Sequence, residues 1–423
     1  MKKILVLAYA ISPTRGSEYS VAWNYVINMS KDNMLVVLYG MSGNHMGEIA
    51  EIEDFIRINP LPNVRFVAIK PNRIARLINT LNRNNILVYT FYIAYKYWHK
   101  QVYNKAKELL KEENFDLIHF LGPIGYREPG YLWKLKLPYI WGPIGGTSNV
   151  SNKLIKSLPF AGKLKLGFRA LANNIQLKCN NRIKKAIQSA DVLMTATTEN
   201  QINIKKYFGV DSIYLPENGI VGNIDAINKK YDVLNHLNII WIGSIDERKA
   251  LITLLRALLR VKNIKKVNLK VVGEGPLKEE LQLFAINNNI NEYIDWVGSV
   301  KRTAVMELLS QSDLHIITSV SEANTTVIWE AMSVGVPTMS LDHCGMHDTI
   351  CEKCGIKIKI DNYEQVVDDL ANQIDFLIDN PDTIIKLNAG VVECAKLYTW
   401  DTRGVFFNNI YDLAIKNWKN KRV

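Results

Sequence analysis

Asp313–Pro337 reads DLHIITSVSEANTTVIWEAMSVGVP, and its pattern changes twice. Asp313–Thr318 is short and apolar (Leu314, Ile316, Ile317) and ends in turn-forming residues, which predicts a buried strand. Ser319–Asn324 is a polar turn. From Thr325 the apolar residues fall at helical spacing (Val327, Ile328, Ala331, Met332), and Gly335 and Pro337 stop the run. The prediction is strand, turn, helix, with Glu322 in the turn and Glu330 on the helix. The amides of Ala323, Asn324, Thr325 and Thr326 would form the helix N-terminus, a natural seat for a pyrophosphate. Glu330 would lie roughly 7–8 Å along the axis from Thr325, about the reach from a diphosphate to its ribose. A carboxylate suits sugar hydroxyls, so Glu330 fits a ribose and Glu322 fits what hangs from the other phosphate. A nucleoside-diphosphate sugar matches this layout from end to end. By itself, a Glu-x7-Glu spacing is more often two solvated or salt-bridged glutamates.

In its context, Glu322 to Glu330 followed by AMSVGVP resembles the donor-site signature of the group 1 (family 4) glycosyltransferases. The resemblance implies an α/β chain of the GT-B type, with two Rossmann-like domains whose parallel sheets face across a cleft. A C-terminal helix would cross back to the first domain. It further implies a retaining, metal-independent enzyme of the bacterial surface-polysaccharide type. The expected boundaries are 1–222 for an acceptor-binding domain, 223–398 for a nucleotide-sugar-binding domain, and 399–423 for the returning helix.

Length and composition agree with two domains. A chain of 423 residues is long for one core. With 48% hydrophobic and 22% charged residues it reads as globular, and no run approaches the length needed to span a bilayer. The opening MKKILVLAYAIS mimics a leader, but its apolar run is short and leads into a Pro-Thr-Arg-Gly turn and a helix, as a first Rossmann strand does. Five cysteines, an odd number in a chain this large, argue for a reducing compartment without a disulfide framework.

The net charge of +11 is unevenly placed. Residues 1–222 carry 29 Lys+Arg against 15 Asp+Glu, a balance of +14; the remainder carries 23 against 26, a balance of −3. Phe55–Lys107 and Pro129–Ala190 contain 10 and 11 basic residues and no acid, which suits a solvated basic face or a surface for anionic lipid head groups. Residues Arg73–Leu110, read as one long helical region, mix Tyr89, Phe91, Tyr92, Tyr95, Tyr97 and Trp98 with Arg and Lys, as a core stripe or an interfacial patch would. No helix-turn-helix, zinc-finger or RNP pattern supports nucleic acid as a partner. The expected location is cytoplasmic, peripheral on the inner face of the membrane.

Further motifs extend the resemblance. Lys3–Ala10 reads as a strand and Ser17–Ser30 as a helix capped by Ser17 and Glu18; Gly16, between them, lets backbone approach a ligand. This resembles the family's glycine-bearing first loop, with one glycine, and the chain lacks the dinucleotide fingerprint. Asp116–Phe120 (DLIHF) and Tyr139–Trp141 each precede a Gly-Pro-Ile-Gly turn at a strand's carboxyl end. His119 resembles the family's DxxH histidine, which implies a place near the donor sugar. Pro216-Glu-Asn-Gly219 resembles the family's interdomain hinge with one residue inserted, and a polar linker follows over Ile224–Asn235.

Strand Leu237–Ile242 leads into Gly243-Ser-Ile-Asp-Glu-Arg-Lys249, which resembles the family's Gly-Arg-Leu-x-x-x-Lys-Gly loop with Ser244 in place of its Arg and Ala250 in place of its last Gly. Lys249 carries over directly, and Arg248 can supply the second cation for a diphosphate. The resemblance thus implies that Glu322, His119 and Lys249 take part in catalysis. Gly16, Arg248, Lys249, Ala323, Asn324, Thr325, Thr326 and Glu330 would hold the donor.

His343, Cys344, His347, Cys351 and Cys354 could together offer four ligands to zinc, but related enzymes need no metal there, so neither metal nor cofactor is expected. The implied reaction moves a sugar to a lipid-linked or growing glycan acceptor. A nucleotide-sugar epimerase on the same fold, or a non-catalytic nucleotide-sugar-binding partner of a polysaccharide assembly complex, would share these motifs.

Overall fold

The computed structural model describes the chain except residues 84–85, 88–89, 156–159, 223, 225–226, 228, 230–235 and 423. Tyr89 and most of the linker read over 224–235 lie outside the described residues. The chain forms two units. One comprises Met1–Ser148, Asn174–Gly219 and Trp400–Val423; the other comprises Asn149–Asn173 and Ile220–Thr399. The passage from the first to the second directly follows Pro-Glu-Asn-Gly219. Nothing in the sequence pattern had separated residues 149–173 from the first unit.

Seven parallel strands build the first unit: β1 Lys3–Ala8, β2 Met34–Tyr39, β3 Val64–Ala68, β4 Leu117–Gly122, β5 Tyr139–Ile144, β6 Val192–Thr195 and β7 Ile213–Tyr214. Their order is β3-β2-β1-β4-β5-β6-β7. Leu5 of β1 stands opposite Val36 on one side and Ile118 on the other. Both faces of the sheet are covered, which is why its inner strands read as unbroken apolar runs. Ile4, Val6, Leu117 and Leu121 face the helices Glu18–Met29 and Trp400–Asn420. Leu5, Leu7, Ile118 and Phe120 pack with Tyr95, Trp98 and Val102 of the helix Thr90–Glu112.

Two local expectations change. The single helical region over 73–110 is two helices, Arg73–Arg83 and Thr90–Glu112; the sequence between them carries Asn84 and Asn85, poor helix formers. Ser17 does not cap its helix through its side chain. Its backbone is left-handed (φ 56°), and its carbonyl accepts from Val21 N and Ser20 Oγ.

The second unit holds six parallel strands: β8 Leu237–Ile242, β9 Val267–Val272, β10 Ile294–Gly298, β11 Leu314–Ile317, β12 Thr338–Leu341 and β13 Gly355–Ile358, in the order β10-β9-β8-β11-β12-β13. Its core joins Trp241, Leu254, Leu269, Leu314, Met339, Leu370 and Ile374. The chain leaves β8 toward one edge and β11 toward the other. Their carboxyl ends therefore flank a topological switch point, where open parallel sheets bind ligands. β1 and β4 make the corresponding point in the first unit.

Candidate functional site

At the switch point of the second unit, the loop after β8 and the loop after β11 are tied together. Trp241 Nε1 donates to Thr318 Oγ1 at 3.0 Å, and that hydroxyl donates to the Lys249 carbonyl at 2.9 Å. Val320 N donates to the Arg248 carbonyl at 2.8 Å. Within the first loop, the Asp246 carboxylate accepts from Lys249 N at 2.8 Å. These bonds fix where the side chains of the two loops meet. Lys249 Nζ lies 2.6 Å from Glu322 Oε1, and Arg248 Nη1 binds the same oxygen. Glu322 and Lys249 are each 12% exposed and Arg248 is 38% exposed, so the cluster sits at a surface that solvent or a ligand can reach. Arg248 thus stands beside Lys249 on Glu322.

The helix Thr326–Ser333 follows, with Thr325 at its N-cap and no side-chain cap on its first turn. Ala323–Thr326 lead into it, as the sequence spacing required. On this helix Glu330 Oε1 pairs with Arg302 Nε at 2.9 Å. Burial pushes the Glu330 carboxyl above its usual range, and Arg302 opposes that rise. Arg302 is a residue that the sequence reading missed. Its signal was the Lys301-Arg302 pair between a strand end (Gly298) and a helix start, the same placement as Arg248-Lys249.

Gly345 presses against the loop that leads into this helix. A Cβ on it would stand 1.7 Å from the Ala323 carbonyl oxygen, so only glycine permits the approach. His343, beside it, donates from Nε2 to the Ser319 carbonyl at 2.8 Å and accepts at Nδ1 from Cys344 Sγ at 3.1 Å. His347 instead pairs with Asp342 at 2.6 Å. The five-residue His/Cys cluster read from the sequence is therefore not one ligand set: His343 and Cys344 bond to each other and His343 to the Ser319 carbonyl, while His347 pairs with Asp342. Among the described residues, the group that could hold a metal is Cys351 and Cys354 with Cys394, which lies 40 residues further on.

In the first unit, His119 does not reach the carboxyl edge where the sequence had placed it. It lies inside β4 with no exposure. Nε2 donates to the Gly142 carbonyl at 2.9 Å, which makes Nδ1 the acceptor for the Tyr25 hydroxyl at 3.0 Å, with the Tyr411 hydroxyl at 3.2 Å. Tyr25 and Tyr411 also bond to each other. Burial holds the imidazole pKa down to about 4, so the ring is neutral. A ring whose two nitrogens are committed inside the core has no group left for a sugar. It positions Gly142 and joins helices Glu18–Met29 and Trp400–Asn420.

One layer nearer the edge is a cavity lined by Ala10, Glu18, Leu121, Gly122, Pro143 and Glu217. Glu18, unmarked by the sequence reading except as a cap, faces this cavity, and burial raises its carboxyl pKa against a bond from the Ile124 backbone. Gly16, just before it, has open space around its α-carbon.

Residues 224–393 match the family described as glycosyl transferases group 1. Protein CapJ of Staphylococcus aureus is 21% identical over 260 residues, spanning 60% of this chain and 61% of CapJ. The putative teichuronic acid biosynthesis glycosyltransferase TuaC of Bacillus subtilis is 24% identical over 260 residues, 59% of each chain. The chain thus spans about three fifths of the length of these relatives. Among solved structures, the lipopolysaccharide outer core galactosyltransferase WaaB superposes with a TM-score of 0.65 at 15% identity, covering 99% of this chain and 98% of WaaB. Anabaena HepE in complex with UDP and glucose superposes with a TM-score of 0.62 at 14% identity, covering 97% and 100%. Residues 224–393 thus resemble the group 1 glycosyltransferases, and the two Rossmann-like units share the GT-B fold of WaaB.

Proposed function

We propose that this chain transfers a sugar, with retention of configuration and without a metal ion, from a nucleoside-diphosphate donor to a lipid-linked or growing glycan acceptor. The product would be a bacterial surface polysaccharide such as capsule, O-antigen or exopolysaccharide. The observation that carries the reading is the meeting of Lys249, Arg248 and Glu322 at the switch point of the second unit, with Glu330 on the helix that starts there. HepE, with the same fold, binds UDP and glucose, which supports a nucleotide-sugar ligand here.

In this mechanism the departing diphosphate gathers negative charge, which Lys249, Arg248 and the amides of Ala323–Thr326 stabilise. Glu330 accepts hydrogen bonds from the ribose, and Glu322 turns from the cations to the hydroxyls of the sugar. A donor phosphate takes the acceptor's proton on the face from which the nucleotide leaves. The first-unit cavity beside Glu18 receives the acceptor.

Membrane docking rests on the helix Arg73–Arg83. Ile74, Leu77 and Leu81 are 53%, 75% and 39% exposed, alongside exposed Arg73, Arg76 and Arg83. That mixture suits an anionic lipid surface at the inner face of the cytoplasmic membrane. Among the described residues no helix is long and apolar enough to cross a membrane.

The test is a panel of UDP- and GDP-sugars with a lipid-linked acceptor, read by release of nucleoside diphosphate. Release that requires acceptor, and stops in a Lys249→Ala variant, supports transfer. Slow release without acceptor replaces this reading with an epimerase, and no release replaces it with a binding partner.

A further inference from the structure

Cys351-Glu-Lys-Cys354 follows the short helix Cys344–Thr349, and Cys394 lies near the end of the helix Asp382–Ala395. The fold of the second unit brings these three thiols together. Cys351 Sγ is 3.5 Å from Cys354 Sγ and 3.3 Å from Cys394 Sγ, and all three sulfurs lie within 4.8 Å of one another. We propose that Cys351, Cys354 and Cys394 bind a thiophilic divalent metal ion, zinc by preference, as a structural site behind the donor-binding helix.

Four observations carry the assignment. Zinc–thiolate bonds of about 2.3 Å in a tetrahedral array set the sulfurs about 3.8 Å apart, within the range seen here. A disulfide would pair two of the sulfurs and strand the third, whereas the three converge on one point. The Cys-x-x-Cys turn also supplies a backbone hydrogen bond to one of its sulfurs. Cys351 N donates to Cys354 Sγ at 3.3 Å. Finally, Met346, Ile350, Val391 and Ala395 enclose the group in apolar contacts, with Trp329 and Met332 of the donor helix in the same cluster.

The electron count is simple. Each coordinating thiol gives up its proton to solvent, three sulfur–metal bonds form, and no group changes oxidation state. Three thiolates and a divalent ion leave one negative charge, with the exposed Lys353 ammonium within electrostatic reach of Cys351 and Cys394. Water is the candidate for the fourth position. Bound metal would staple the helix Asp382–Ala395 to the turn before β13, and so brace the helix that carries Glu330.

The experiment uses the full chain, purified under reducing conditions without chelator. Elemental mass spectrometry is expected to find about one zinc per chain, released by a mercurial reagent. Chelator-treated protein titrated with Co2+ is expected to show thiolate-to-metal charge-transfer bands that saturate at one equivalent. Cys351→Ser and Cys394→Ser should lower zinc affinity by at least about 10–100-fold, the loss that changes to supporting groups alone produce. Cys179→Ser, at an exposed thiol, should leave it unchanged. Where a serine variant fails to fold, the Co2+ spectrum of the unaltered chain decides. Either of two results would overturn the proposal: no Co2+ bands, or alkylation of the three thiols at the rate of Cys179 in excess zinc.

Discussion

Lys249 Nζ and Glu322 Oε1 stand 2.6 Å apart, and Arg248 holds the same oxygen. The acid proposed for the sugar thus bridges the two cations proposed for the diphosphate, leaving the cluster with one net positive charge. On the proposed function, donor binding would be an exchange: the phosphates would take over Lys249 and Arg248, and the freed carboxylate would turn to the hydroxyls of the sugar. Such an exchange ties release of Glu322 to arrival of the correct ligand, and it keeps a cation pair from standing unpaired between turnovers.

Replacing Glu322 by Gln separates the two roles. Binding of a nucleoside diphosphate alone, measured by calorimetry, should hold or tighten because the competing carboxylate is gone. Turnover should fall by about 10²-fold or more, as expected for a group that acts on the reacting sugar. Weaker nucleoside-diphosphate binding in this variant would show that Glu322 does not compete for the cations.

Glu330→Ala should act in the opposite sense, weakening nucleotide binding by about 1.5–3 kcal/mol, the value of hydrogen bonds to a charged acceptor, with a smaller effect on kcat. Arg302→Ala leaves Glu330 under burial alone, which raises its carboxyl further. Only the ionised form accepts bonds from both ribose hydroxyls. Nucleotide affinity of the Arg302→Ala protein should therefore fall more steeply than that of the parent as pH is lowered, a comparison that titration at several pH values makes directly.

Gly345→Ala tests the loop rather than its polar groups. The new methyl would meet the Ala323 carbonyl oxygen at 1.7 Å, so the donor loop must shift. Stability should drop by about 1–3 kcal/mol in denaturant melts. Nucleotide affinity should drop as well, although Gly345 has no side chain to offer a ligand. Ala250→Gly should move stability the other way. Ala250 holds a left-handed backbone (φ 50°, ψ 46°) that costs a non-glycine residue about 1–2 kcal/mol, part of which the greater freedom of glycine in the unfolded chain cancels. A gain of up to about 1 kcal/mol is expected.

His119 gives the first unit an acid-sensitive core. Its pKa is lowered from 6.5 to about 4 in the fold, by burial first, with the bond to Gly142 opposing. Between those values the unfolded chain binds the proton and the folded chain does not, so stability declines as pH falls through that window. The decline amounts to about 3 kcal/mol at most. His119→Gln should flatten this part of the curve while lowering stability at pH 7.5, as equilibrium unfolding across pH 4–7.5 would show.

Local pattern was enough to place much of this chemistry. A short apolar run, a polar turn and helical spacing over Asp313–Pro337 determined a strand, a turn and a helix, with Glu322 before the helix and Glu330 on it, because those patterns are properties of neighbouring residues. The carboxyl ends of β8 and β11 were legible for the same reason. What the sequence could not determine was which distant side chains meet. That Arg248 joins Lys249 on Glu322, that Arg302 faces Glu330, and that Cys394 completes a group with Cys351 and Cys354 are decisions of strand order. Strand order follows from how whole sheets bury their faces. His119 was misplaced by the same limit. Its position in DLIHF said strand, but only the packing of Tyr25 and Tyr411 over it decided that the ring lies inside the core, where desolvation keeps it neutral.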